Sequence, residues 1–167
     1  MVTTPVIQNV DQNFIECCRT KLTKEYLPKI EDCLKNLSED DIWWRAHETN
    51  NSIGNLMLHL AGNIRQWVCY HLGGKEFERQ RDKEFSQRTH IPKEELLKLL
   101  RSAVNDTDSV LSTFPVEKLL RHYVIQGYTV TGLEAILHIT EHFSYHTGQI
   151  VYITKLRTGK DLKFYNL

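Results

Sequence analysis

The chain has 167 residues, with 21 basic and 21 acidic side chains and a formal net charge of zero. This length fits one domain, which can bury enough surface to fold without disulfide staples. Zero net charge without a clustered basic run argues against a nucleic-acid-binding protein, and no apolar run approaches the ~20 residues of a membrane span. We therefore expect one domain over residues 1–167 that binds neither nucleic acid nor a membrane.

Helical patterns dominate the chain, and its few glycines and prolines stand where helices begin, end or bend. Pro28 lies inside the first helix and should kink it near Lys24, because proline removes a hydrogen bond and crowds the preceding turn. The second helix begins at Asn51 or Ser52, both of which are good N-caps. The predicted helices run from Val10 to Asn36, from Ser52 to Gly73, from Pro92 to Phe114 and from Thr131 to Gly159.

The connections between these helices differ in character. A short turn covers Asp40 to Trp44, and a charged loop runs from Lys75 to His90. Pro115 to Thr131 is either irregular or holds one short helical element around Val116 to Leu120. Four long amphipathic helices with such connections predict an all-α fold, a four-helix bundle. Two runs mix both signs of charge and are interpreted as solvated faces: Lys75 to Lys83 and Lys93 to Arg101.

The second and fourth helices carry unusually little charge, so we predict that they are the most buried pair. Each still has a polar stripe, and exposed stripes usually hold Lys and Glu rather than Asn, Gln and His. An inward-facing polar site is therefore favoured over a merely exposed face. The stripes are Ser52, Asn55, His59, Asn63 and Gln66 on the second helix, and Glu134, His138, Glu141 or His142, Tyr145 or His146, and Gln149 on the fourth.

Histidines four residues apart on a helix lie on one face, close enough to share a metal ion. His142 and His146 have this spacing, and so do His138 and His142. His59 lies mid-way along the other low-charge helix and is the candidate third ligand, since catalytic sites often combine three protein ligands with one open position. Spacing alone is a weak signal. The remaining histidines fall in loops or at helix ends and are assigned no role: His47, His71, His90 and His122.

Cysteine usage and the start of the chain indicate the compartment. Cys17, Cys18, Cys33 and Cys69 form no Cys-x-x-Cys pair, and we predict that all four are reduced thiols. The segment Met1 to Val10 lacks the basic and apolar regions of a signal peptide. Both features predict a cytoplasmic protein.

Two runs of residues resemble motifs of the DinB/YfiT-like superfamily. Residues 51–63, NSIGNLMLHLAGN, resemble its second helix, and residues 142–150, HFSYHTGQI, resemble its last-helix signature, His-x-x-x-His-Arg-Gly-Gln. The motifs occur in the correct order on the two low-charge helices. The resemblance extends over most of the chain and points to a bacterial branch of uncharacterised activity.

The resemblance implies a DinB-like four-helix bundle with a three-histidine site for one divalent ion, zinc or nickel, with iron or manganese as alternatives. The family's ligand positions map onto His59, His142 and His146. Thr147 stands where many members have arginine, and the additional His138 is interpreted as a polar residue packed under the site. Some members act with low-molecular-weight thiols such as bacillithiol or mycothiol, and dimers are common, so a small-molecule substrate and a homodimer are also implied.

Two classes of function remain open. One is a metal-dependent transferase acting with a bacillithiol-like thiol, or a hydrolase-like enzyme, in which the open metal position carries the chemistry. The other is a non-catalytic, metal-stabilised stress-response or binding protein, whose closed site would take His138 or Glu141 as fourth ligand. Glu141, Tyr145 and Asn63 are candidates to bond a ligand or orient an imidazole, against simple packing or surface roles. The tryptophans either line a pocket mouth or pack in the core: Trp43, Trp44 and Trp67.

Overall fold

The computed structural model describes residues 9–164, which form six helices and a small two-stranded hairpin. The predicted all-α class therefore holds in broad terms. Most of the segment Met1 to Val10 lies outside the described residues. Helix α1 joins Val10–Thr20, the π-helical Lys21–Tyr26 and Leu27–Lys35. The others are α2 (Glu39–Trp43), α3 (Ile53–Ile64, continued by the π-helical Arg65–Tyr70), α4 (Arg81–Ser86), α5 (Lys93–Ser112) and α6 (Gly132–Thr158).

Local sequence signals set the ends of the two helices that carry the histidine motifs. Ser52 caps α3 in a reciprocal capping box with Asn55, and Thr131 caps α6 in the same way with Glu134. Helix α6 ends at Gly159, whose φ of 65° lies in the left-handed region that glycine adopts without strain. These predicted ends agree with the structure within a residue or two.

Near Lys24, where the sequence predicts a kink, the first helix has the π-helical segment Lys21–Tyr26. Pro28 has no backbone N–H to donate to the carbonyl of Lys24, so the regular ladder is interrupted one turn earlier. The helix continues beyond this point to Lys35 rather than ending.

Four long helices make the core. Helix α3 packs against α5 and α6, and α1 packs against the same two helices. The interior is filled by aliphatic and aromatic side chains that are wholly shielded from solvent, among them Ile30, Leu60, Leu100 and Phe143. The contact between α3 and α6 is the one that positions the predicted site.

The prediction that two helices are mostly buried is right for α3 and only partly right for α6. Ten of the twelve residues of α3 are buried. Helix α6 instead turns an uncharged face to solvent, on which Tyr145, Tyr152 and Leu156 are 64%, 69% and 57% exposed. Absence of charge on this helix therefore does not signal burial.

Two connections are more ordered than predicted. Helix α4 lies within the segment Lys75 to His90, which was expected to be a loop. Pro115 to Thr131 holds a 3-10 turn, Val116–Lys118, and then strands β1 (His122–Ile125) and β2 (Tyr128–Thr131), where at most a short helical element was expected. The strands pair antiparallel, with Ile125 opposite Tyr128. Gln126 and Gly127 between them both have positive φ, 54° and 84°, as a tight hairpin turn requires.

The cysteines are free thiols, as predicted: Cys17 is exposed, and Cys18, Cys33 and Cys69 are buried. Across the described part of the chain, no helix combines the length and the apolar character needed to span a membrane.

Candidate metal centre

Three imidazole rings from α3 and α6 converge on one point. His59 Nε2 lies 3.0 Å from His142 Nε2, and His146 Nε2 lies 3.2 Å from the same atom. His59 and His146 are buried and His142 is half-buried. One ring nitrogen from each histidine falls within 4.8 Å of the other two. The fold thus brings together the three residues that the sequence singles out as metal ligands.

The spacing between these nitrogens suits a divalent ion. With metal–nitrogen bonds of about 2.0–2.1 Å, two imidazole ligands are separated by about 3.3 Å at tetrahedral angles and by about 3.0 Å at right angles. The separations of 3.0 and 3.2 Å lie in this range. A bound ion would therefore require little movement of the helices.

A hydrogen bond at the nitrogen of His59 that faces away from this point determines the tautomer of the ring. Its Nδ1 lies 2.9 Å from Glu84 Oε2. Arg79 already donates to both oxygens of Glu84, at 2.7 Å each, so the buried carboxylate is ionised and only accepts. Arg79 Nη2 also lies 3.1 Å from His59 Nδ1, but the shorter contact of Nδ1 is with the carboxylate, which can only accept. We therefore assign the proton to His59 Nδ1, which leaves a lone pair on His59 Nε2.

His146 is held in the same tautomer. Its Nδ1 lies 2.7 Å from Gln149 Oε1, an acceptor, so Nδ1–H donates and Nε2 again carries a lone pair. His142 Nε2 meets both lone pairs and can donate a proton to only one of them. His142 Nδ1 is buried and has no hydrogen-bond partner among residues 9–164. A cation at the point of convergence would take up the lone pairs of all three Nε2 atoms, which two or three neutral rings cannot do for one another, so the residues present fit a metal ion.

Burial and neighbouring groups favour the neutral form of His142 and His146. Burial, and then the neighbouring His146 and His59, lower the pKa of His142 to about 3. Burial also lowers the pKa of His146, against the opposing hydrogen bond with Gln149. Metal ions bind neutral imidazole, so these groups need lose no proton at neutral pH before they bind.

A buried ion pair between Glu84 and Arg79 lies against His59 Nδ1, on the side of the ring away from the other two histidines. Burial by itself would raise the pKa of Glu84, but hydrogen bonds from Arg79 and His59 outweigh it and the pKa lies below its ordinary value. The Arg79 side chain is only 3% exposed. It also donates to Gln66 Oε1 at 3.0 Å, and Gln126 at the hairpin tip donates to the same oxygen at 2.6 Å. Hydrogen bonds thus connect the hairpin to the site.

Two residues of α3 place Glu84. Asn55 Nδ2 donates to the carbonyl of Glu84 at 2.9 Å and to that of Gln87 at 3.2 Å, which fixes α4 against α3. Gly62 lies directly beneath the carboxylate, and a Cβ at this position would collide with Glu84 Oε1. Only glycine leaves room for the carboxylate one turn beyond His59.

The supporting residues expected from the sequence are not those that contact the imidazoles. Glu141 is exposed, and Asn63 is buried with an Oδ1 that has no hydrogen-bond partner among residues 9–164. Tyr145 stands with its ring 5.1 Å from that of His146, largely in solvent. Within residues 9–164, no hydrogen bond joins any of these three side chains to one of the histidine rings.

His138 and Glu141 also do not complete a closed site. The only cluster of candidate metal ligands within residues 9–164 comprises His59, His142 and His146. His138 instead stacks on Trp67, with ring centroids 4.0 Å apart, and lies 5.5 Å from the ring of His142. This placement agrees with its interpretation as a polar residue packed beside the site.

Sequence reasoning missed Arg79 and Glu84. Arg79 lies in the run Lys75 to Lys83, and the interpretation of that run as a solvated face is wrong for this residue, because the ion pair with Glu84 offsets its burial. Nothing in the mixed charges of this loop distinguishes the two. The other contacts, Gln66 and Gln149, do lie on the two polar stripes.

Of the other residues that the sequence singles out, Trp43 and Thr147 are packed in the interior. Trp43 is buried against Gly54 and donates from its indole to the carbonyl of Ile91 at 3.1 Å. Thr147 is buried and donates to the carbonyl of Phe143 at 2.8 Å, and no contact of its side chain with the histidine rings is seen among residues 9–164. Trp44, in contrast, lines a groove on the surface.

A family model described as a protein of unknown function (DUF1572) matches residues 9–167. No curated protein matches the chain.

Proposed function

We propose, from the premise that the chain belongs to the DUF1572 family, that it is a DinB-like four-helix-bundle protein that binds one divalent metal ion. The ligands are His59, His142 and His146. The observation that carries the proposal is the convergence of their three Nε2 atoms, two of which have their lone pairs fixed toward the common point by Glu84 and Gln149.

The bundle is supported by how the long helices pack. Helices α1 and α3 each contact α5 and α6, which is the arrangement of four helices around one core. The site lies between α3 and α6, where bundles build metal sites from side chains on facing helices. Zinc or nickel suits an all-imidazole ligand set, and iron and manganese are the alternatives.

The activity we propose is a metal-dependent transfer with a low-molecular-weight thiol of the bacillithiol type, or a related hydrolysis. Three protein ligands leave coordination positions for an exogenous group, and the bound ion supplies a Lewis acid there. The chain's own residues orient the imidazoles. Glu84 and Gln149 fix the ring nitrogens, and Arg79 keeps the Glu84 carboxylate ionised.

The alternative is a non-catalytic metal-stabilised protein with a stress-response or binding role. A structural zinc site normally has four protein ligands, and the cluster within residues 9–164 has three. This count favours an open site and therefore the enzyme. A cytoplasmic location and a homodimer complete the proposal; the dimer rests on the superfamily resemblance, and sedimentation of the purified chain tests it.

The enzyme and the alternative are separated by a conjugation assay. The metal-loaded protein is incubated with bacillithiol, glutathione or cysteine and a model electrophile, 1-chloro-2,4-dinitrobenzene, and thioether formation is followed by absorbance. We expect a rate that depends on added metal and that is lost in His142→Ala. A rate no higher than the uncatalysed background with every thiol, in protein shown to contain metal, contradicts the transferase and favours the binding protein.

A further inference from the structure

A groove of about 570 Å³ opens beside the histidines, on the outer side of α6. Its wall is built from the loop that joins α2 to α3 and from the exposed face of α6. Gln149 and Tyr145 belong to both the groove and the surroundings of His146, since Gln149 bonds to His146 and the Tyr145 ring is 5.1 Å from it. The volume suits a small molecule.

Arg45 is a cation of the groove whose buried Nη1 has no hydrogen-bond partner among residues 9–164. The residue as a whole is half-buried. No aspartate or glutamate lines the groove within the described residues. Leaving a buried donor of a permanently charged group unbonded costs free energy, so this position is arranged for an acceptor that comes from outside the chain.

Two other arginines of the chain, unlike Arg45, form ion pairs with carboxylates within the described residues. Arg79 is paired with Glu84 at 2.7 Å, and Arg157, which lies over the ring of Trp44, is paired with Asp41 at 2.8 Å. The charge of Arg157 is therefore already balanced at this end of the molecule. No acidic side chain among residues 9–164 forms a comparable ion pair with Arg45.

The opposite wall is apolar although it faces solvent. Tyr152 and Leu156 on α6 are 69% and 57% exposed, and Trp44, which precedes Arg45 in the chain, also lines the groove. A contiguous exposed apolar surface on a helix with few charges is typical of a binding site rather than of an ordinary outer face. The groove thus offers one cationic contact and one apolar wall.

We infer that the groove is a binding subsite for a small molecule that joins a carboxylate or phosphate group, bound by Arg45, to an apolar moiety, which packs on Trp44, Tyr152 and Leu156. This inference rests on the proposed function, because it assigns the groove to the substrate of the adjacent histidine site. Gln149 lines the groove and bonds to His146, so a molecule in the groove lies next to a residue that holds a candidate metal ligand.

The test uses matched ligands that differ in their charged group. Binding of 4-phenylbutyrate, phenyl phosphate and the neutral 4-phenylbutanol to the full-length protein is measured by calorimetry, with the indole resonance of Trp44 as the local readout. We expect at least one anion to bind tenfold or more tightly than the neutral alcohol, with Arg45→Gln removing this preference. Arg101→Gln, which removes an exposed charge paired with Glu31, is expected to retain it.

Tyr152→Ala provides a variant of an exposed residue that should fold normally. It is expected to weaken the anion and the alcohol alike, since it removes apolar wall and no charge. Equal affinities of wild type and Arg45→Gln for the anions, or a wild type that binds no anion in preference to the alcohol, would overturn the inference. Metal content is measured on the same samples. Anion binding without metal contradicts only the proposed function, and metal binding without anion preference contradicts only the groove.

Discussion

At the scale of single residues, the site depends on side chains that never reach the metal position. Glu84 fixes the tautomer of His59, and Arg79 fixes the charge of Glu84. Neutralising this carboxylate leaves the Arg79 guanidinium buried without an anion and loosens the ring. We therefore expect Glu84→Gln to lower metal affinity by about 10- to 100-fold, the usual effect of losing such a supporting group. Competition with a chromophoric chelator measures this.

The matched control is Glu76→Gln, which neutralises an exposed carboxylate in the same connection. It is expected to bind metal as the wild type does. An unchanged affinity in Glu84→Gln would show that the ion pair holds α4 in place without acting on the imidazole.

The depressed pKa of His142 predicts acid sensitivity of the metal-free protein. An unfolded histidine titrates near pH 6.5 and folded His142 near pH 3, so between these values only the unfolded chain binds the proton. The free energy of unfolding therefore falls as the pH drops below 6.5, by about 1.5 kcal/mol at pH 5 for this residue. Urea unfolding of the metal-free protein at several pH values measures the slope. In His142→Gln the slope should be shallower, and an identical slope would refute this assignment.

How far the sequence predicts the site is clearest from the residues themselves. His59, His142 and His146 could be predicted because each lies on a regular helix, where spacing determines the face and a family-like motif identifies the position. Glu84 and Arg79 could not be, because their burial depends on how a connecting segment folds back over α3. Gln149 was visible as part of a stripe, but its role depends on the rotamer that brings it to His146.

At the scale of elements, Gly62 is the point at which α3 admits the carboxylate of α4. Gly62→Ala should displace Glu84, lower metal affinity and cost about 1–3 kcal/mol of unfolding free energy, as overpacking of a tight contact does. Gly148 on α6 is the matched control, since a Cβ there meets no atom within 4 Å. Gly148→Ala should be neutral or stabilising by up to about 1 kcal/mol. Urea unfolding of both variants tests the difference, and equal effects would contradict it.

The long helices followed from periodicity and capping, whereas the short elements did not. Helix α4 has too few turns for a pattern to emerge from its charges. The hairpin had a signal, since runs rich in aromatic and β-branched residues flank Gln126-Gly127, a pair suited to a two-residue turn. The low charge of α6 predicts burial, but part of this helix is exposed and lines a groove. Composition alone does not distinguish a buried helix face from one that lines a groove.

At the scale of the whole molecule, a metal ion that joins α3 to α6 should stabilise the fold. An ion that binds only the folded chain adds about 2.7 kcal/mol when its free concentration is a hundred times Kd. For a chain of this size, that corresponds to a rise in Tm of about 5–10 °C. Calorimetric scans with and without zinc or nickel measure the shift. His146→Ala should abolish most of it, and a shift of equal size in that variant would place the stabilising ion elsewhere.

The central claim is that these three histidines hold one ion. Protein purified without an affinity tag is loaded with zinc or nickel, dialysed and analysed for metal by mass spectrometry, alongside His59→Ala, His142→Ala, His146→Ala and the control His138→Ala. The account predicts about one ion per chain in the wild type and in His138→Ala, and substoichiometric metal in the other three variants. Full retention of metal in any of those three variants, or its loss in His138→Ala alone, would contradict the account.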